Sequence, residues 1–204
     1  MRTSRLEAFS DAVLAIIITV MVLELHVPAG EDFAALRHEA GTGLLTYLLS
    51  FVFVGIYWNN HHHMFQLTGR ITGAVLWANL HLLFWLSLLP FTTAWMDNSG
   101  FARVPVIVYG VDLLLAAVAY FVLQSLIIAS QGADSALREA VGRDVKGRIS
   151  PVLYVAGITA AWFIDGGSVV ATVAAVGCYV AVAVLWLVPD RRIERVIARR
   201  GVPD

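Results

Sequence analysis

The sequence predicts an all-α integral membrane protein with six transmembrane helices per subunit. Three observations lead to this fold class. Hydrophobic residues make up 59% of the 204-residue chain, they fall into runs about as long as a bilayer is thick, and short polar segments separate the runs. The mean hydropathy of +0.76 is too high for an ordinary soluble domain, and the chain is too short for a large transporter.

The first predicted helix spans residues 6–27 and is charged near both ends of its apolar core. Twelve uncharged residues separate Asp11 from Glu24. Asp11 is the unusual feature, because a carboxylate entering an apolar helix is costly and usually faces a protein interior or a water path and pairs with another group. No signal-peptide cleavage pattern follows the helix, so we expect it to remain in the mature protein.

Five further apolar runs predict the other spans, and an Arg-rich segment follows them. We place the second to sixth helices at residues 44–65, 74–95, 104–129, 149–164 and 168–188, with a basic tail at 190–204. The fifth run is short for a crossing, which takes about 20 residues. The six spans form one unit, with no internal repeat.

The distribution of basic residues predicts the orientation of the chain. With six spans and a cytoplasmic N-terminus, twelve Lys and Arg residues fall on the cytoplasmic side and only Arg37 and Arg103 fall outside. Basic residues favour the cytoplasmic side of membrane proteins. Both termini are therefore predicted to be cytoplasmic. The Arg-rich tail either contacts anionic lipid headgroups or, more simply, is the orientation signal of the last helix.

A stripe of four residues on the first helix is a candidate pore lining. The stripe consists of Ile16 and the residues three, four and seven positions after it, which are Thr19, Val20 and Leu23. These spacings place all four on one helical face. The same spacing is typical of a packing surface, and a Thr in a membrane helix often bonds to its own backbone carbonyls. A single helix cannot enclose a pore, so a pore would need several copies of the chain around a symmetry axis.

The polar residues of the second and third helices leave several interpretations open. His61, His62 and His63 are consecutive, so their side chains point about 100° apart and cannot all bind one ion. With His81 on another helix, they could ligate a metal or haem. More simply, one His faces inward in a hydrogen-bonded network and the others lie near the cytoplasmic interface.

The order of residues resembles a known family. Arg5, Phe9, Ser10 and Asp11, with Thr19 eight positions after Asp11, match the signature of the transmembrane protein 175 family, the endolysosomal potassium channels and their bacterial relatives. The segment from Tyr57 to Phe65, with Trp58, His61 and His62, is similar to the family's second-helix pattern. Asn79 and Leu89-Pro90-Phe91 are similar to its third-helix pattern.

This resemblance implies a function and a set of roles. It implies a potassium-permeable channel of the bacterial plasma membrane, assembled as a homotetramer with helix one around a central pore. On the family's motif, Ile16 falls on the hydrophobic gate, Thr19 on the threonine linked to potassium preference and Leu23 on an outer apolar layer. Val20 is added to the constriction by helical spacing. No cofactor or resident metal is implied.

The depth of the polar residues predicts an anchor for the first helix. Arg5, Ser10 and Asp11 lie at the cytoplasmic end of helix one, at the level of the His cluster, so we expect them to bond to His, Asn or Trp groups of helices two and three. Glu24 lies at the external end of helix one, where in a symmetric assembly it either forms part of an acidic ring that concentrates cations or is an ordinary interface charge. Asp112 either pairs with Arg103 or lines the entrance.

The sequence also excludes some classes of function and leaves others open. It has no phosphate-binding loop, nucleotide fingerprint or nucleophile elbow, so we expect no enzyme, and nothing indicates nucleic acid binding. The Thr-Val-Gly-Tyr-Gly filter of common potassium channels is absent, so any selectivity must come from side chains. A proton-coupled secondary transporter using Asp11 and the His cluster is the main alternative, followed by a haem-binding or metal-binding membrane protein.

Overall fold

A computed structural model describes residues 3–132, 135–142, 144–164 and 168–187. The regular elements of these ranges are all helical. In chain order they are α1 (Thr3–Leu23), α2 (Phe33–Ala35), a π-helical turn (Leu36–Ala40), α3 (Gly41–Gln66), α4 (Gly73–Asn98), α5 (Arg103–Gln131), α6 (Ala136–Val141), α7 (Val145–Trp162) and α8 (Val169–Leu187). The predicted basic tail at 190–204 lies outside the described residues.

Four helices differ from the predicted limits by three or four residues. Helix α3 starts at Gly41, three residues before the predicted start. Helix α1 ends at Leu23, where the apolar run gives way to Glu24, and not at residue 27. Helix α4 continues past Pro90 to Asn98. Helix α7 starts at Val145, four residues before the predicted start, because the Asp144 carboxylate caps it by accepting a hydrogen bond from the Gly147 amide at 3.0 Å.

Five of the described helices are long and apolar enough to cross a membrane: α1, α3, α4, α5 and α8. Helix α7 is 18 residues long and has Lys146 and Arg148 in its first turn, which leaves a shorter apolar stretch. A sixth crossing through α7 therefore remains a prediction.

The helices pack around α4 and α5. Helix α4 packs against α5 and α1, and α7 packs against α5 and α8. Large apolar side chains such as Val54, Leu82 and Leu113 fill the interior. Many others, including Trp77 and Val170, are exposed on the outside, as expected of a surface that faces hydrocarbon.

Close approach of α5, α7 and α8 depends on glycines beside Tyr179. The buried Tyr179 hydroxyl donates a hydrogen bond to the Val106 carbonyl oxygen at 3.2 Å. A Cβ atom added to Gly157 would lie 2.5 Å from Tyr179 Cε1 and 3.0 Å from the Ala175 carbonyl oxygen. A side chain at residue 157 would therefore push α7 away from α8.

We expect Gly157→Ala to destabilise the protein by about 1–3 kcal/mol, the usual cost of overpacking a close-packed interior. The matched control is Gly177→Ala on α8, where the added Cβ meets nothing within 4 Å and should be neutral or slightly stabilising. Thermal unfolding in detergent compares the two variants. Equal melting temperatures for Gly157→Ala and the wild type would contradict this account of the helix crossing.

Candidate pore helix and its polar anchor

Helix α1 has one face turned into the subunit. Its buried side chains are Leu6, Ser10, Leu14, Ile17 and Met21, at spacings of three or four residues. This face packs against α3 and α4. Four of the five are apolar, so Ser10 is the polar member of an otherwise hydrophobic contact.

The opposite face of α1 is exposed and contains the predicted pore stripe. Ile16 is 61% exposed, Val20 38% and Leu23 80%, and Thr19 is also exposed. These residues therefore do not serve as packing surface within the described part of the subunit. They remain available to face a pore, a second copy of the chain or lipid.

The Thr19 hydroxyl donates a hydrogen bond to the Ile16 carbonyl oxygen of its own helix, with an oxygen-to-oxygen distance of 2.8 Å. This is the local bond expected of a Thr in a membrane helix. Because the proton is used within α1, the oxygen presents its lone pairs outward. Such an oxygen is an acceptor suited to a cation.

A buried chain of hydrogen bonds joins α1 to α4 and α3. Ser10 Oγ donates to the Leu6 carbonyl oxygen at 2.9 Å and accepts from Asn79 Nδ2 at 2.9 Å. Asn79 Oδ1 in turn lies 2.7 Å from His61 Nε2. All three side chains are at most 1% exposed, so the chain lies inside the helix bundle.

The directions of these bonds define the state of His61. Since Asn79 Nδ2 donates to Ser10, Asn79 Oδ1 must accept, and His61 Nε2 is then the donor. His61 Nδ1 is buried and has no partner among the described residues. The His61 ring also stacks on Phe65, with ring centroids 4.3 Å apart. His61 is thus the inward-facing member of the His cluster.

A second set of contacts surrounds this chain closer to the surface. Asp11 Oδ1 accepts a hydrogen bond from Trp58 Nε1 at 3.1 Å. His62 Nδ1 lies 2.8 Å from Glu7 Oε1 and His62 Nε2 lies 3.0 Å from Gln66 Nε2. Helix α1 therefore contacts α3 through two acidic side chains that lie one helical turn apart.

Sequence reasoning did not single out Glu7 and Gln66. The sequence contained a signal for both residues. Glu7 lies three residues before Ser10 and four before Asp11, on the same face of α1, and Gln66 lies four residues after His62. Both side chains contact His62, one of the three consecutive His residues.

Arg5, a member of the predicted anchor, and Phe9, a further residue of the family's motif, do not join it. Arg5 is exposed and forms no side-chain hydrogen bond or ion pair with the described residues, and Phe9 is 48% exposed. Both point away from the interior of the subunit because they lie on the outward face of α1. The prediction that Arg5 bonds to α3 or α4 is wrong within one subunit.

Other predicted polar residues have partners of their own. Asp112 Oδ2 accepts a hydrogen bond from Thr92 Oγ1 at 3.1 Å, and Arg103 Nε donates to the Ile164 carbonyl oxygen at 2.7 Å, so these two residues do not form the suggested pair. His81 Nε2 accepts from Trp85 Nε1 at 2.8 Å. The described residues contain no group of three His, Cys, Asp or Glu side chains placed to hold a metal ion.

Glu24 follows the last residue of α1 and is exposed. It shares a shallow cleft with Asp97, at the end of α4. Two acidic residues thus lie at the end of the bundle that the sequence predicts to be external.

These features define a class of protein: a helical membrane protein whose first helix is fixed to its neighbours by a polar inner face and presents an apolar, hydroxyl-bearing outer face. A family model described as the endosomal/lysosomal potassium channel TMEM175 matches residues 5–90. This range contains both faces of α1 and the residues that anchor it.

Known proteins extend the match beyond this range. A potassium channel of Chryseobacterium sp. (strain P1-3) is 50% identical over 195 residues, which cover 96% of this chain and 97% of that protein. The human endosomal/lysosomal proton channel TMEM175 is 30% identical over 131 residues, covering 62% of this chain and 25% of that protein.

A solved structure matches the whole fold. The crystal structure of a lysosomal potassium-selective channel TMEM175 homolog from Chamaesiphon minutus superposes with a TM-score of 0.72 and 27% identity, covering 92% of this chain and 97% of that one. The chain belongs to the TMEM175 family. This is a family of ion channels and not of enzymes.

We expect Asn79→Ala to lower the free energy of unfolding by about 2–5 kcal/mol, because it leaves the buried His61 ring without a hydrogen-bond partner and removes the donor to Ser10 Oγ. The matched control is Asn60→Ala, since the Asn60 amide only donates to the Ile56 carbonyl of its own helix. Asp11→Ala removes one contact at a partly exposed position, so its effect should fall between these two variants. Thermal unfolding and assembly in detergent provide the measurement, and equal effects of Asn79→Ala and Asn60→Ala would contradict the anchor.

Proposed function

We propose that the chain is the subunit of a potassium-permeable cation channel in the bacterial plasma membrane. In this proposal four copies form a homotetramer, α1 of each copy lines the central pore, and both termini are cytoplasmic. The bacterial relatives are named potassium channels, which supports potassium as the permeant ion. One observation carries the assignment of the pore: the stripe of Ile16, Thr19, Val20 and Leu23 is exposed while the opposite face of α1 is held in the subunit.

An apolar constriction would act as the gate. Copies of Ile16 around an axis form a ring that offers an ion no replacement for its hydration shell, with Val20 and Leu23 as further rings toward the outside. Narrow apolar rings lose their water, and a dry ring blocks ions. Opening then requires the α1 helices to move apart until a hydrated or partly hydrated ion passes.

Ion preference would come from side chains. A continuous helix uses its carbonyl groups in its own hydrogen bonds, so α1 has no carbonyl filter to offer. The Thr19 oxygens lie one turn beyond Ile16, with lone pairs directed outward, and are the acceptors that the stripe provides. One oxygen per subunit replaces only part of a hydration shell, so the preference for potassium over sodium should be modest.

The acidic residues at the predicted external end support cation permeation. Exposed Glu24 side chains of four subunits would surround the mouth of the pore, where negative charge raises the local cation concentration. Asp97 of α4, in the same cleft, adds to this negative charge.

Proton permeation is a second candidate function. The animal relatives are named proton channels. In a pore of the proposed kind, protons would use the same apolar constriction, so proton flux should rise and fall with potassium flux when Ile16 is changed. A pH-sensitive dye inside the liposomes measures it.

We expect Ile16→Asn to raise potassium flux into liposomes by about tenfold or more, because an amide ring holds water where isoleucine does not. The matched control is Val173→Asn on α8, a residue of similar exposure, 64% against 61%, that lies off the stripe. Unchanged flux in Ile16→Asn, in protein shown to be folded, would contradict the assignment of Ile16 as the gate. An equal rise in Val173→Asn would show that the effect is not specific to the stripe.

We expect Thr19→Val to bring the potassium-to-sodium permeability ratio close to one, since it removes the hydroxyl and keeps the side-chain shape. The matched control is Thr159→Val on α7, where an exposed Thr makes the same bond to its own helix, from Oγ1 to the Val155 carbonyl at 2.8 Å. Reversal potentials in planar bilayers give the ratio. A ratio that Thr19→Val leaves unaltered would remove Thr19 from the selectivity mechanism.

A further inference from the structure

A cavity lies among α3, α5, α7 and α8, away from the pore stripe. It encloses about 50 Å³ of free space. Roughly 10–15 Å³ is enough for one water molecule, so the cavity has room for a small organic group. It is lined by the second halves of α3 and α5, the first half of α7 and Trp186 of α8, which are the helix ends that the sequence predicts to be cytoplasmic.

The walls of this cavity are mainly aromatic. Six rings line it, those of Phe53, Tyr57, Tyr120, Phe121, Tyr154 and Trp186. Aromatic faces carry negative potential and attract ammonium groups. The Trp186 ring already has the Lys146 ammonium group 5.8 Å from its centroid, so an ammonium ligand would use the other five rings.

Two tyrosine hydroxyls in the cavity have no hydrogen-bond partner among the described residues. Tyr57 is 8% exposed and Tyr154 is 2% exposed, and both line the cavity. Buried hydroxyls are normally satisfied by protein, water or a ligand. Their partner is therefore water or a ligand group in the cavity.

Among the described residues that line the cavity, Asp144 is the charged one. Asp144 Oδ1 accepts from the Gly147 amide at 3.0 Å, and Asp144 Oδ2 accepts a long bond from Gln124 Nε2 at 3.4 Å. A carboxylate oxygen accepts more than one hydrogen bond, so Oδ2 retains capacity for a strong donor. An aromatic wall with a single carboxylate is complementary to a positive charge.

We propose that this cavity binds a small organic ammonium ion. The ammonium group donates to Asp144 and to the hydroxyl oxygens of Tyr57 or Tyr154, and a short aliphatic body lies against the aromatic rings. A carboxylic acid or a phosphate is disfavoured, because its negative charge would meet the Asp144 carboxylate. The site does not depend on ion conduction, since none of its lining residues belongs to α1.

The test measures binding of radiolabelled butylammonium to the purified full chain in nanodiscs by equilibrium dialysis, with empty nanodiscs as the blank and 1-butanol as the neutral comparison. We expect Asp144→Asn to weaken butylammonium binding by at least about tenfold, because a charge-assisted bond is lost. Asparagine retains the capping oxygen of α7, so the variant should fold. Tyr154→Phe should weaken binding about threefold by removal of one hydroxyl.

Two matched controls separate this site from other acidic or pore positions. Glu31→Gln removes an exposed carboxylate elsewhere in the chain, and Thr19→Val alters the proposed pore; neither should change the dissociation constant. Absence of binding, equal binding of butylammonium and butanol, or an unchanged dissociation constant in Asp144→Asn would overturn the proposal. Loss of butylammonium binding in Thr19→Val would place the ammonium ion in the pore and would also overturn the proposal. Failure of ion flux alone would count only against the proposed channel.

Discussion

The hydrogen-bonded chain of Ser10, Asn79 and His61 is the constraint on which the orientation of α1 depends. Apolar contacts alone determine the rotation of a helix about its own axis only weakly, because leucine, isoleucine and methionine substitute for one another in packing. A buried amide with a single compatible set of partners does not tolerate such a change, since a rotation of α1 by one residue moves Ser10 by about 100° and leaves the buried Asn79 Nδ2 group without its acceptor. With Ser10 held inward, Ile16 and Thr19 face outward.

The anchor and the outward stripe therefore form one arrangement. Glu7 and Asp11 extend the contact to His62 and Trp58 at the same end of the bundle, while the described contacts of the α1 side chains nearer Leu23 are apolar or made to their own helix. Polar contacts at one end and apolar contacts along the rest suit a helix that is fixed at the end that the sequence predicts to be cytoplasmic. Within the proposed channel, the part of α1 that contains the constriction is the part that can move.

Much of this arrangement was predictable from the residues, because patterns of apolar runs and buried polar groups follow simple physical rules. The sequence predicts one depth for Ser10, Asp11, Trp58, His61 and Asn79. The structure joins Asp11 to Trp58 and connects the other three in one hydrogen-bonded chain. It did not decide which His faces inward, since three consecutive residues sample most directions around a helix and only the packing of α3 on α4 selects one. Nor did it give Asp112 its Thr92 partner, because hydroxyl groups are too common in membrane helices to single one out. Arg5 occupies a position of the family's motif, yet its side chain faces away from the interior of the subunit. The spacing of the motif residues alone does not reveal this orientation.

The most direct test of the central claim is whether the exposed face of α1 lines the ion path. The background is Cys178→Ala, which removes the single native cysteine. In it, Leu23→Cys is compared with Val173→Cys on α8. Potassium flux into liposomes is measured before and after treatment with a charged methanethiosulfonate reagent. Mass spectrometry establishes that both cysteines are modified. The account predicts that modification at residue 23 changes the flux by severalfold while modification at residue 173 leaves it unaltered. Complete modification at residue 23 with unchanged flux would contradict a pore lined by α1.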